Sequence, residues 1–518
     1  MAASARYVTE LVGALERYGP RPALGAGPAV RDFATVLADV YRLAGALADA
    51  GLERGQGLAV VTAGNRPEAL LVRLAAHVLG ARLTHVVDDA SVHGLDFILR
   101  DCEPGLIVHD TPLPAADGTP RLDLAALFSR AAARDPEPVT VRAREDDVAR
   151  VTYTSGTTGR PKGVASTFGA LAARVDGRAS RSRGASDGGP EPVFLSVTSL
   201  AQRAGGRCLE QLRAGGRVEV LAPFSPRAFA AACRRLGPVS TYLMVSMVYR
   251  LLDDPATAGA IPGLSVISYG ASPILPERLR QAVTRWGGRW QQGYATNEAS
   301  VICRLTPADH LDAVTGRSPG LLASVGRPAP GVEVRVRDGG GRDLPAGRTG
   351  EVWTRSAATM TGYWRQPALT GEVLRDGWLR TGDVGHFDAG GYLYLDDRGA
   401  DVVMVDGDNV YCLPVEAALS RHPGVAEAAV VGRYSGLTGE EVCAFLVPAP
   451  GWSPGGRLAE EACALVEETL PPLHRPTAVF WTDRVPRTPG GKPAKRLLRQ
   501  RAARCGPAGG HDRPGPVS

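Results

Sequence analysis

The chain has 518 residues, of which 44% are hydrophobic and 22% are charged, and its formal net charge is +5. At roughly 100–200 residues per domain, this length predicts two to four structural units. The charge is small for the length and spread along the chain, which argues against a nucleic-acid-binding protein.

The first residues and the cysteines indicate the compartment. No apolar run approaches the roughly 20 residues that a membrane-spanning helix needs. The N-terminus is typical of a short amphipathic helix rather than a signal peptide, because no basic start precedes an uninterrupted apolar stretch. The eight cysteines are scattered from Cys102 to Cys505 without a CxxC pair. We therefore expect a cytoplasmic protein without a membrane partner, holding reduced, buried thiols rather than a zinc site or disulfides.

Helical and strand patterns alternate in the first half of the chain. Thr35 is predicted to cap a helix that Gly51 ends, and residues 58–61 form a buried strand. Pro67 suits the first turn of the next helix, which Gly80 ends. The further predicted elements are strands 84–87, 218–221, 239–244 and 264–268, and helices starting at Pro226 and Pro276. This alternation predicts an α/β fold with doubly wound, mostly parallel sheets.

The pattern changes after about Gly320. Short alternating segments at 331–339, 350–356 and 391–397 predict a small antiparallel sheet or barrel. After Arg398 a compact α+β unit is expected, with strands at 402–405, 428–432 and 443–447, a helix from Pro414 and a helix over 458–470. We expect a large domain over 1–397, a mobile C-terminal lid domain over 398–505 and a disordered tail over 506–518. Residues 111–120 and 180–192 are predicted surface loops.

The segment 153–163, YTSGTTGRPKG, has the composition of a phosphate-binding loop. Its three glycines permit tight turns, its hydroxyls and amides can donate to phosphate oxygens, and Lys162 adds positive charge. It follows the apolar strand 148–152. It is not a Walker loop, because no Gly-Lys-Ser/Thr occurs in it.

This loop resembles the signature of the adenylate-forming superfamily, which includes acyl-CoA synthetases, peptide-synthetase adenylation domains and luciferases. Further matches follow in family order at 293–298 (GYATNE), 379–383 (LRTGD), 397–398 (DR) and 489–492 (PGGK). Together they cover nearly the whole chain.

The resemblance implies an ATP site whose residues hold defined parts of the nucleotide. Loop 153–163 would hold the β- and γ-phosphates, Glu298 would bind Mg²⁺, and Asp383 with Arg398 would hold the ribose. Lys492 would bridge the acid and the α-phosphate as charge develops, which is electrostatic stabilisation. The implied catalytic residues are Lys492, Glu298 and Thr157. The implied ATP-binding residues are Thr154, Ser155, Gly156, Thr157, Thr158, Gly159, Lys162, Gly270, Ala271, Ser272, Tyr294, Asn297, Glu298, Asp383, Arg398 and Lys492.

The sequence departs from the family mainly at positions of the second half-reaction. The hinge position two residues after Arg398 is Ala400, where thioester-forming members have Asp or Lys. Asp406 replaces the first glycine of a pair that lines the pantetheine tunnel of CoA ligases, and Gln202 stands at the usual histidine. Ala295 and Asn297 are smaller departures. A carboxylate at a narrow tunnel wall would hinder a thiol arm.

The acyl pocket is the least specific prediction. No aspartate occurs in 193–206, where amino-acid-activating members pair the α-ammonium, so the acid is not expected to be an α-amino acid. The expected pocket residues are Gln202, Arg203, Met244, Met247, Tyr249, Ser268, Gly270 and Gly293. An apolar pocket with polar spots fits an aryl or polyketide-like acid.

Three enzymatic hypotheses follow, all with ATP and Mg²⁺. The first is an acid–amine ligase of the kind found in natural-product and antibiotic pathways, which transfers the acyl group of acyl-AMP to an amine. The second is an acyl-CoA ligase, with CoA as the thiol acceptor, and the third loads a carrier protein. Altered thioester-step positions favour the first. The sequence leaves the oligomeric state and the identity of the acid open.

Overall fold

The structure is a computed structural model that describes residues 4–87, 92–114, 118–154, 161–182, 192–271, 274–398, 402–405, 408–435, 439–487 and 492–504. Its α-helices are α1 Arg6–Tyr18, α2 Phe33–Asp49, α3 Pro67–Leu79, α4 Val92–Asp101, α5 Leu124–Ala132, α6 Phe168–Ser182, α7 Arg203–Arg213, α8 Pro226–Leu236, α9 Val245–Asp253, α10 Pro276–Trp286, α11 Pro307–Val314, α12 Pro367–Val373, α13 Cys412–Leu419, α14 Gly456–Glu467 and α15 Lys495–Arg504.

The strands follow the same chain order. They are β1 Pro22–Ala26, β2 Ala29–Asp32, β3 Gly57–Thr62, β4 Arg82–Val87, β5 Pro104–His109, β6 Arg121–Asp123, β7 Val148–Thr154, β8 Lys162–Thr167, β9 Val193–Ser196, β10 Val218–Val220, β11 Val239–Met244, β12 Leu264–Gly270, β13 Arg289–Thr296, β14 Ser300–Leu305, β15 Arg327–Pro328, β16 Glu333–Arg337, β17 Gly350–Arg355, β18 Gly362–Tyr363, β19 Leu374–Arg375, β20 Trp378–Phe387, β21 Leu393–Arg398, β22 Val403–Val405, β23 Asp408–Val410, β24 Val425–Ser435, β25 Gly439–Pro448 and β26 Ala478–Trp481.

Two mostly parallel sheets form the large part of the molecule. The first has nine strands in the order β15-β14-β13-β12-β11-β9-β10-β1-β2, and the second has seven in the order β18-β8-β7-β4-β3-β5-β6. The strands from β13 to β1 in the first sheet and from β7 to β6 in the second pair in parallel, whereas the strands at the remaining edges pair antiparallel. Parallel strands need helical crossovers, which cover the faces of the sheets.

Both faces of the central strand β3 are buried, as a doubly wound sheet requires. Leu58 and Val60 pack into a core shared with helices α1, α2, α3, α6 and α7. Ala59 and Val61 point the other way, into a cluster with Leu95 and other residues of α4. Because successive side chains of a strand face opposite sides, β3 contributes side chains to two cores.

Two smaller antiparallel-rich sheets complete the fold. Strands β16, β17, β20, β19 and β21 form one, and β23, β22, β25, β24 and β26 form the other, with β26 joined in parallel to β25. The second sheet lies between two clusters. Val430 packs on one side with α13 and α14, and Val431 packs on the other with α15. The α/β prediction, with a large sheet-based part and a smaller C-terminal unit, is confirmed.

Two helix starts differ from the predictions. Helix α2 begins at Phe33, and its cap is Asp32, whose side chain accepts a 2.7 Å hydrogen bond from the amide of Thr35. The prediction of Thr35 as cap was therefore wrong, because Thr35 lies in the first turn and its amide is the donor that Asp32 caps. Helix α13 begins at Cys412 rather than Pro414. Proline is tolerated there because first-turn amides have no intrahelical acceptor.

The described helices and cysteines bear on the expectations about membrane spans and buried thiols. None of the described helices is long and apolar enough to cross a membrane. Seven cysteines, from Cys102 to Cys463, are buried and belong to no disulfide in the described part of the chain. The expectation of buried thiols is confirmed for these seven, and Cys505 and the tail 506–518 lie outside the described residues.

Candidate active site

The predicted phosphate loop connects two paired strands of the seven-stranded sheet. Thr154 at the end of β7 is the register partner of Lys162 at the start of β8. The two residues that flank the loop are therefore paired within the sheet. The loop's predicted contacts Ser155, Gly156, Thr157, Thr158 and Gly159 lie outside the described residues, and Thr154 is described by its backbone alone.

Tyr363 connects two predicted ATP-site residues. Its hydroxyl donates a 3.1 Å hydrogen bond to Oε1 of Glu298, and Nζ of Lys162 lies 5.6 Å from its ring centroid. Burial raises the pKa of Tyr363, and the carboxylate of Glu298 raises it further, so the hydroxyl stays a donor. Strand β18 pairs with β8, which brings Tyr363 opposite Val164. Tyr363 thus contacts Lys162 through its ring and Glu298 through its hydroxyl.

Glu298 has the free coordination that a magnesium ligand needs. Within the described part of the chain, Oε1 of Glu298 is the carboxylate oxygen that accepts a hydrogen bond. The described residues contain no group of three His, Cys, Asp or Glu side chains that could hold a metal ion. A divalent cation at Glu298 would therefore complete its shell with substrate oxygens and water, which is how Mg²⁺ is commonly held in nucleotide sites. The backbone carbonyl of Glu298 accepts a 2.6 Å bond from Met360, which fixes the turn.

Tyr294 and Asp383 form the second link between predicted nucleotide contacts. The Tyr294 hydroxyl donates to Oδ2 of Asp383 at 2.5 Å, and both side chains are buried. Asp383 is also the register partner of Arg398, which ends β21. Burial raises the pKa of Tyr294 well above its usual value, and the Asp383 carboxylate raises it further. The predicted ATP-binding residue Tyr294 and the predicted ribose ligand Asp383 therefore belong to one hydrogen-bonded unit.

Gly270, the last residue of β12, is the register partner of Gly293 within β13. A Cβ on Gly270 would lie 2.8 Å from the carbonyl oxygen of Gly293, so only glycine fits this close approach. Ala271, which follows, has a φ of +75°, a conformation that few non-glycine residues adopt. Ser272 lies outside the described residues. Gly270 belongs to both the predicted acyl pocket and the predicted nucleotide site, so the two predicted sites share the end of β12.

Predicted acyl-pocket residues occupy two different environments. Nη1 of Arg203 lies 3.8 Å from the position of a Cβ on Gly293, and its guanidinium lies 6.0 Å from the ring centroid of Tyr242. Gln202 is the residue before α7, and Ser268 accepts a 2.7 Å bond from Gln291. In contrast, Met247 is buried in an apolar cluster against which Met244 packs, and the Tyr249 hydroxyl accepts a bond from the amide of Leu275.

The predicted catalytic lysine lies on an exposed segment of the C-terminal unit. Lys492 directly precedes Pro493, which forms an isolated β-bridge with Arg487. Burial raises the pKa of Tyr249 in α9, and the nearby charge of Arg487 partly offsets that effect. Three residues on, Nζ of Lys495 forms a 3.0 Å ion pair with Glu416, and both side chains are about nine-tenths buried. The hinge residue Ala400 and the tunnel residue Asp406 lie outside the described residues.

A cleft is lined by residues of both the predicted acyl pocket and the predicted nucleotide site, and its composition was not predicted. Arg73, Arg150 and Arg174 line it together with Gln202, Arg203 and Asn297. Three of these arginines come from α3, β7 and α6, which lie far apart in the sequence. The cleft could not be recognised from local pattern, because single arginines on separate elements are ordinary surface residues.

Family comparisons match nearly the whole chain. The family model described as AMP-binding enzyme matches residues 13–364, and the model of the AMP-binding enzyme C-terminal domain matches residues 414–492. Among curated proteins, the chain is 32% identical over 437 residues to the fatty acid–acyl-carrier-protein ligase ScoC of Streptomyces coeruleorubidus, covering 83% of this chain and 82% of that protein. It is 31% identical to the medium/long-chain-fatty-acid–CoA ligase FadD8 of Mycobacterium tuberculosis, covering 95% and 89%.

Solved structures give a concordant result. The amide bond synthetase McbA from Marinactinospora thermotolerans superposes with a TM-score of 0.84 at 34% identity, covering 96% of this chain and 99% of that one. ATP-bound MatB from Rhodopseudomonas palustris superposes with a TM-score of 0.83 at 25% identity, covering 95% and 98%.

Proposed function

The chain belongs to the family of AMP-binding enzymes, and from this membership we propose that it joins a carboxylic acid to an amine through an acyl-adenylate. It is an adenylate-forming ligase, and such enzymes activate acids with ATP. We further propose which class of acid and acceptor the enzyme uses and which residues act on them. The acid is an aryl or polyketide-like acid rather than an α-amino acid.

In the first step a carboxylate oxygen attacks the α-phosphorus of ATP. A new P–O bond forms, the bond from the α-phosphorus to the bridging oxygen breaks, and pyrophosphate leaves with the electron pair. An anion approaches an anion, so the main catalytic requirement is charge neutralisation. Lys162 and Lys492 supply positive charge, and Glu298 would hold a Mg²⁺ ion that neutralises further phosphate charge. The Tyr363 contacts to Glu298 and Lys162 are the observation that carries this step.

In the second step a neutral amine nitrogen attacks the acyl carbonyl carbon. The C–N bond forms, the C–O bond to the phosphate breaks, AMP leaves, and the amine proton passes to a nearby base or to water. The likeness to an amide bond synthetase over almost the full length of both chains supports this acceptor. The substitutions at Gln202, Ala400 and Asp406 support it independently, because they alter positions used to admit and thioesterify CoA.

A second candidate is transfer to a thiol, either CoA or a carrier protein. The names of the curated relatives ScoC and FadD8 favour it. An amine differs from these acceptors because it needs no long tunnel and no domain rotation guided by a hinge carboxylate. The two candidate functions therefore differ in the acceptor of the acyl group.

The experiment supplies purified protein, ATP and a panel of acids with an amine mixture, CoA or a carrier protein in separate reactions. We expect amide and AMP from the amine reaction and little acyl-CoA. The double variant Asp406→Gly with Ala400→Asp should raise acyl-CoA formation without changing pyrophosphate release, because it restores the tunnel and hinge residues. Efficient acyl-CoA formation by the unmodified protein, without amide from any amine, would favour the thiol ligase instead.

A further inference from the structure

The end of helix α4 is bonded to the first and last residues of the predicted phosphate loop 153–163. Asp101 is the last residue of α4, and its Oδ2 accepts a 2.5 Å hydrogen bond from the hydroxyl of Tyr153. Its backbone carbonyl oxygen accepts a 3.1 Å bond from Nε1 of Trp364. The amide of Trp364 in turn donates a 2.7 Å bond to the carbonyl oxygen of Gly163. Asp101 therefore joins the two ends of the loop from outside the strands that carry them.

Tyr153 and Trp364 also pack closely against Gly163. A Cβ at Gly163 would lie 3.1 Å from Cζ of Tyr153 and 3.2 Å from Cβ of Trp364. The missing side chain of this glycine lets both residues lie against the end of the loop. Burial raises the pKa of Tyr153, and its hydrogen bond to Asp101 raises it further, so the hydroxyl stays a donor.

An arginine supports the face of the Trp364 ring. The guanidinium carbon of Arg82 lies 4.1 Å from the ring centroid, within the range of a cation–π contact. Arg82 begins β4, which lies between β7 and β3 in the sheet, and it is 9% exposed. It donates to the carbonyl oxygens of Cys102 at 2.9 Å and of Gly55 at 3.2 Å. The indole ring therefore rests on a side chain that is itself held in place.

The backbone of Trp364 is directly joined to a residue of the predicted ATP site. Tyr363 precedes Trp364 and contacts both Glu298 and Lys162. It ends the two-residue strand β18, which supplies few backbone bonds of its own. The bonds of Trp364 to Asp101 and to the end of the loop therefore also restrict Tyr363.

We propose that Asp101, Tyr153 and Trp364, here called the loop brace, are positioning residues that hold the phosphate loop in the geometry that binds the β- and γ-phosphates of ATP. The inference rests on the proposed function, because it takes loop 153–163 as the phosphate site. A loop whose ends are fixed has less conformational freedom to lose on binding, so its affinity is higher. The brace acts through Gly163 and Tyr363 rather than by touching the nucleotide.

A purely structural role of these residues would give a different result. Loss of a partly buried hydrogen bond lowers the free energy of unfolding whichever nucleotide is present. A positioning role instead weakens the binding of ATP and spares AMP, which lacks the β- and γ-phosphates. The predicted ribose ligand Asp383 lies on β20, in a different sheet from the loop, and serves both nucleotides equally.

The test measures the Kd of ATP and of AMP by calorimetry without any acid, for the unmodified protein, Tyr153→Phe and Trp364→Phe. We expect each substitution to raise the Kd of ATP by roughly 3- to 10-fold, the scale of one hydrogen bond, and to leave the Kd of AMP unchanged. The combination of Tyr153→Phe with Asp101→Ala should be no weaker than Asp101→Ala alone, because that bond is already lost. Adding Trp364→Phe to Tyr153→Phe should weaken ATP binding further.

Two matched variants control for the loss of a hydrogen bond elsewhere in the fold. Tyr392→Phe removes a 2.7 Å bond from a tyrosine hydroxyl to Asp309, and Trp286→Phe removes a 3.1 Å bond from an indole to the carbonyl oxygen of Thr257. Both should lower the Tm while keeping the ratio of the ATP and AMP affinities.

Three results would overturn the loop brace. They are equal weakening of ATP and AMP by the brace variants, unchanged ATP binding in both of them, and equal affinities of the unmodified protein for ATP and AMP. Each of these leaves acid-dependent pyrophosphate release by the unmodified protein possible, so the proposed function would stand. ATP-specific weakening without pyrophosphate release from any acid would support the brace and reject the proposed function alone.

Discussion

The hydroxyl of Tyr294 donates a 2.5 Å hydrogen bond to Oδ2 of the buried Asp383. The two residues lie on different sheets, Tyr294 on β13 and Asp383 on β20. The bond holds this carboxylate oxygen of Asp383 in a fixed direction. If Asp383 binds the ribose, Tyr294 therefore acts as its positioning residue.

Tyr294→Phe should weaken ATP binding without abolishing catalysis. Removing one hydrogen bond to a charged group costs about 1.5–3 kcal/mol, so we expect the KM for ATP to rise by at least about 10-fold with a smaller change in kcat. Asp383→Ala should be more severe, and the double variant should be no worse than Asp383→Ala because the bond is already lost. An unchanged KM for ATP in Tyr294→Phe would show that Asp383 does not depend on it.

Two substitutions of Tyr363 separate its hydroxyl from its ring. Tyr363→Phe removes the bond to Glu298 but keeps the ring beneath Lys162. We expect it to raise the Mg²⁺ concentration needed for half-maximal pyrophosphate release and to leave phosphate affinity near normal. Tyr363→Leu also removes the cation–π contact, worth about 0.5–2 kcal/mol, and should raise the KM for ATP as well. Indistinguishable Mg²⁺ titrations for Tyr363→Phe and the unmodified protein would argue against a metal role for Glu298.

Substitutions of the neighbouring residues Lys492 and Lys495 should affect different properties, the rate of adenylation and the stability of the fold respectively. Lys492 is exposed, so Lys492→Ala should preserve the Tm while slowing adenylation by about 10²–10³, the effect of losing one stabilising donor. Lys495 pairs with the buried Glu416, so Lys495→Ala leaves an uncompensated charge and should destabilise the protein by about 3–5 kcal/mol. Near-normal pyrophosphate release by Lys492→Ala would contradict its catalytic assignment.

Buried histidines should make the stability depend on pH. Burial lowers the pKa of His310 to about 4 and that of His85 to about 3. Between these values and the unfolded value of about 6.5, the unfolded chain binds more protons, so the free energy of unfolding falls as the pH falls. Each such histidine contributes a slope of about 1.4 kcal/mol per pH unit in that window.

His310→Gln tests this dependence. The variant loses contacts to Tyr269 and Thr306 and should be less stable at pH 8. Its urea-unfolding free energy should nevertheless fall less steeply between pH 6.5 and 4.5 than that of the unmodified protein. Parallel curves would mean that His310 does not stay neutral in the fold.

The sequence was sufficient for features that depend on local pattern. Pro67 begins α3 and Gly80 ends it in the left-handed region with a φ of +76°, as the helix signals predicted. The cap of α2 was misplaced because Asp32 and Thr35 are both good cap residues, and the helix begins at Phe33 with Asp32 as its cap. Local cap preference does not decide between two such residues.

The site could be predicted only where a motif marks it. Glu298, Lys162 and Asp383 stand in recognisable segments, and their relative roles remain a proposal. Tyr363 was missed because its importance comes from a two-residue strand beside β8, which no local pattern indicates. The arginine cleft was missed for the same reason, since Arg73, Arg150 and Arg174 become neighbours only when α3, β7 and α6 pack together.

The most direct measurement is a single reaction with an acid whose carboxylate is labelled with ¹⁸O, analysed by mass spectrometry. Adenylation moves one carboxylate oxygen to the α-phosphate, and amine capture then breaks the acyl C–O bond. We therefore expect AMP that carries one ¹⁸O, unlabelled pyrophosphate and an amide of the acid with the supplied amine. ADP with labelled inorganic phosphate, or AMP without label, would contradict an acyl-adenylate.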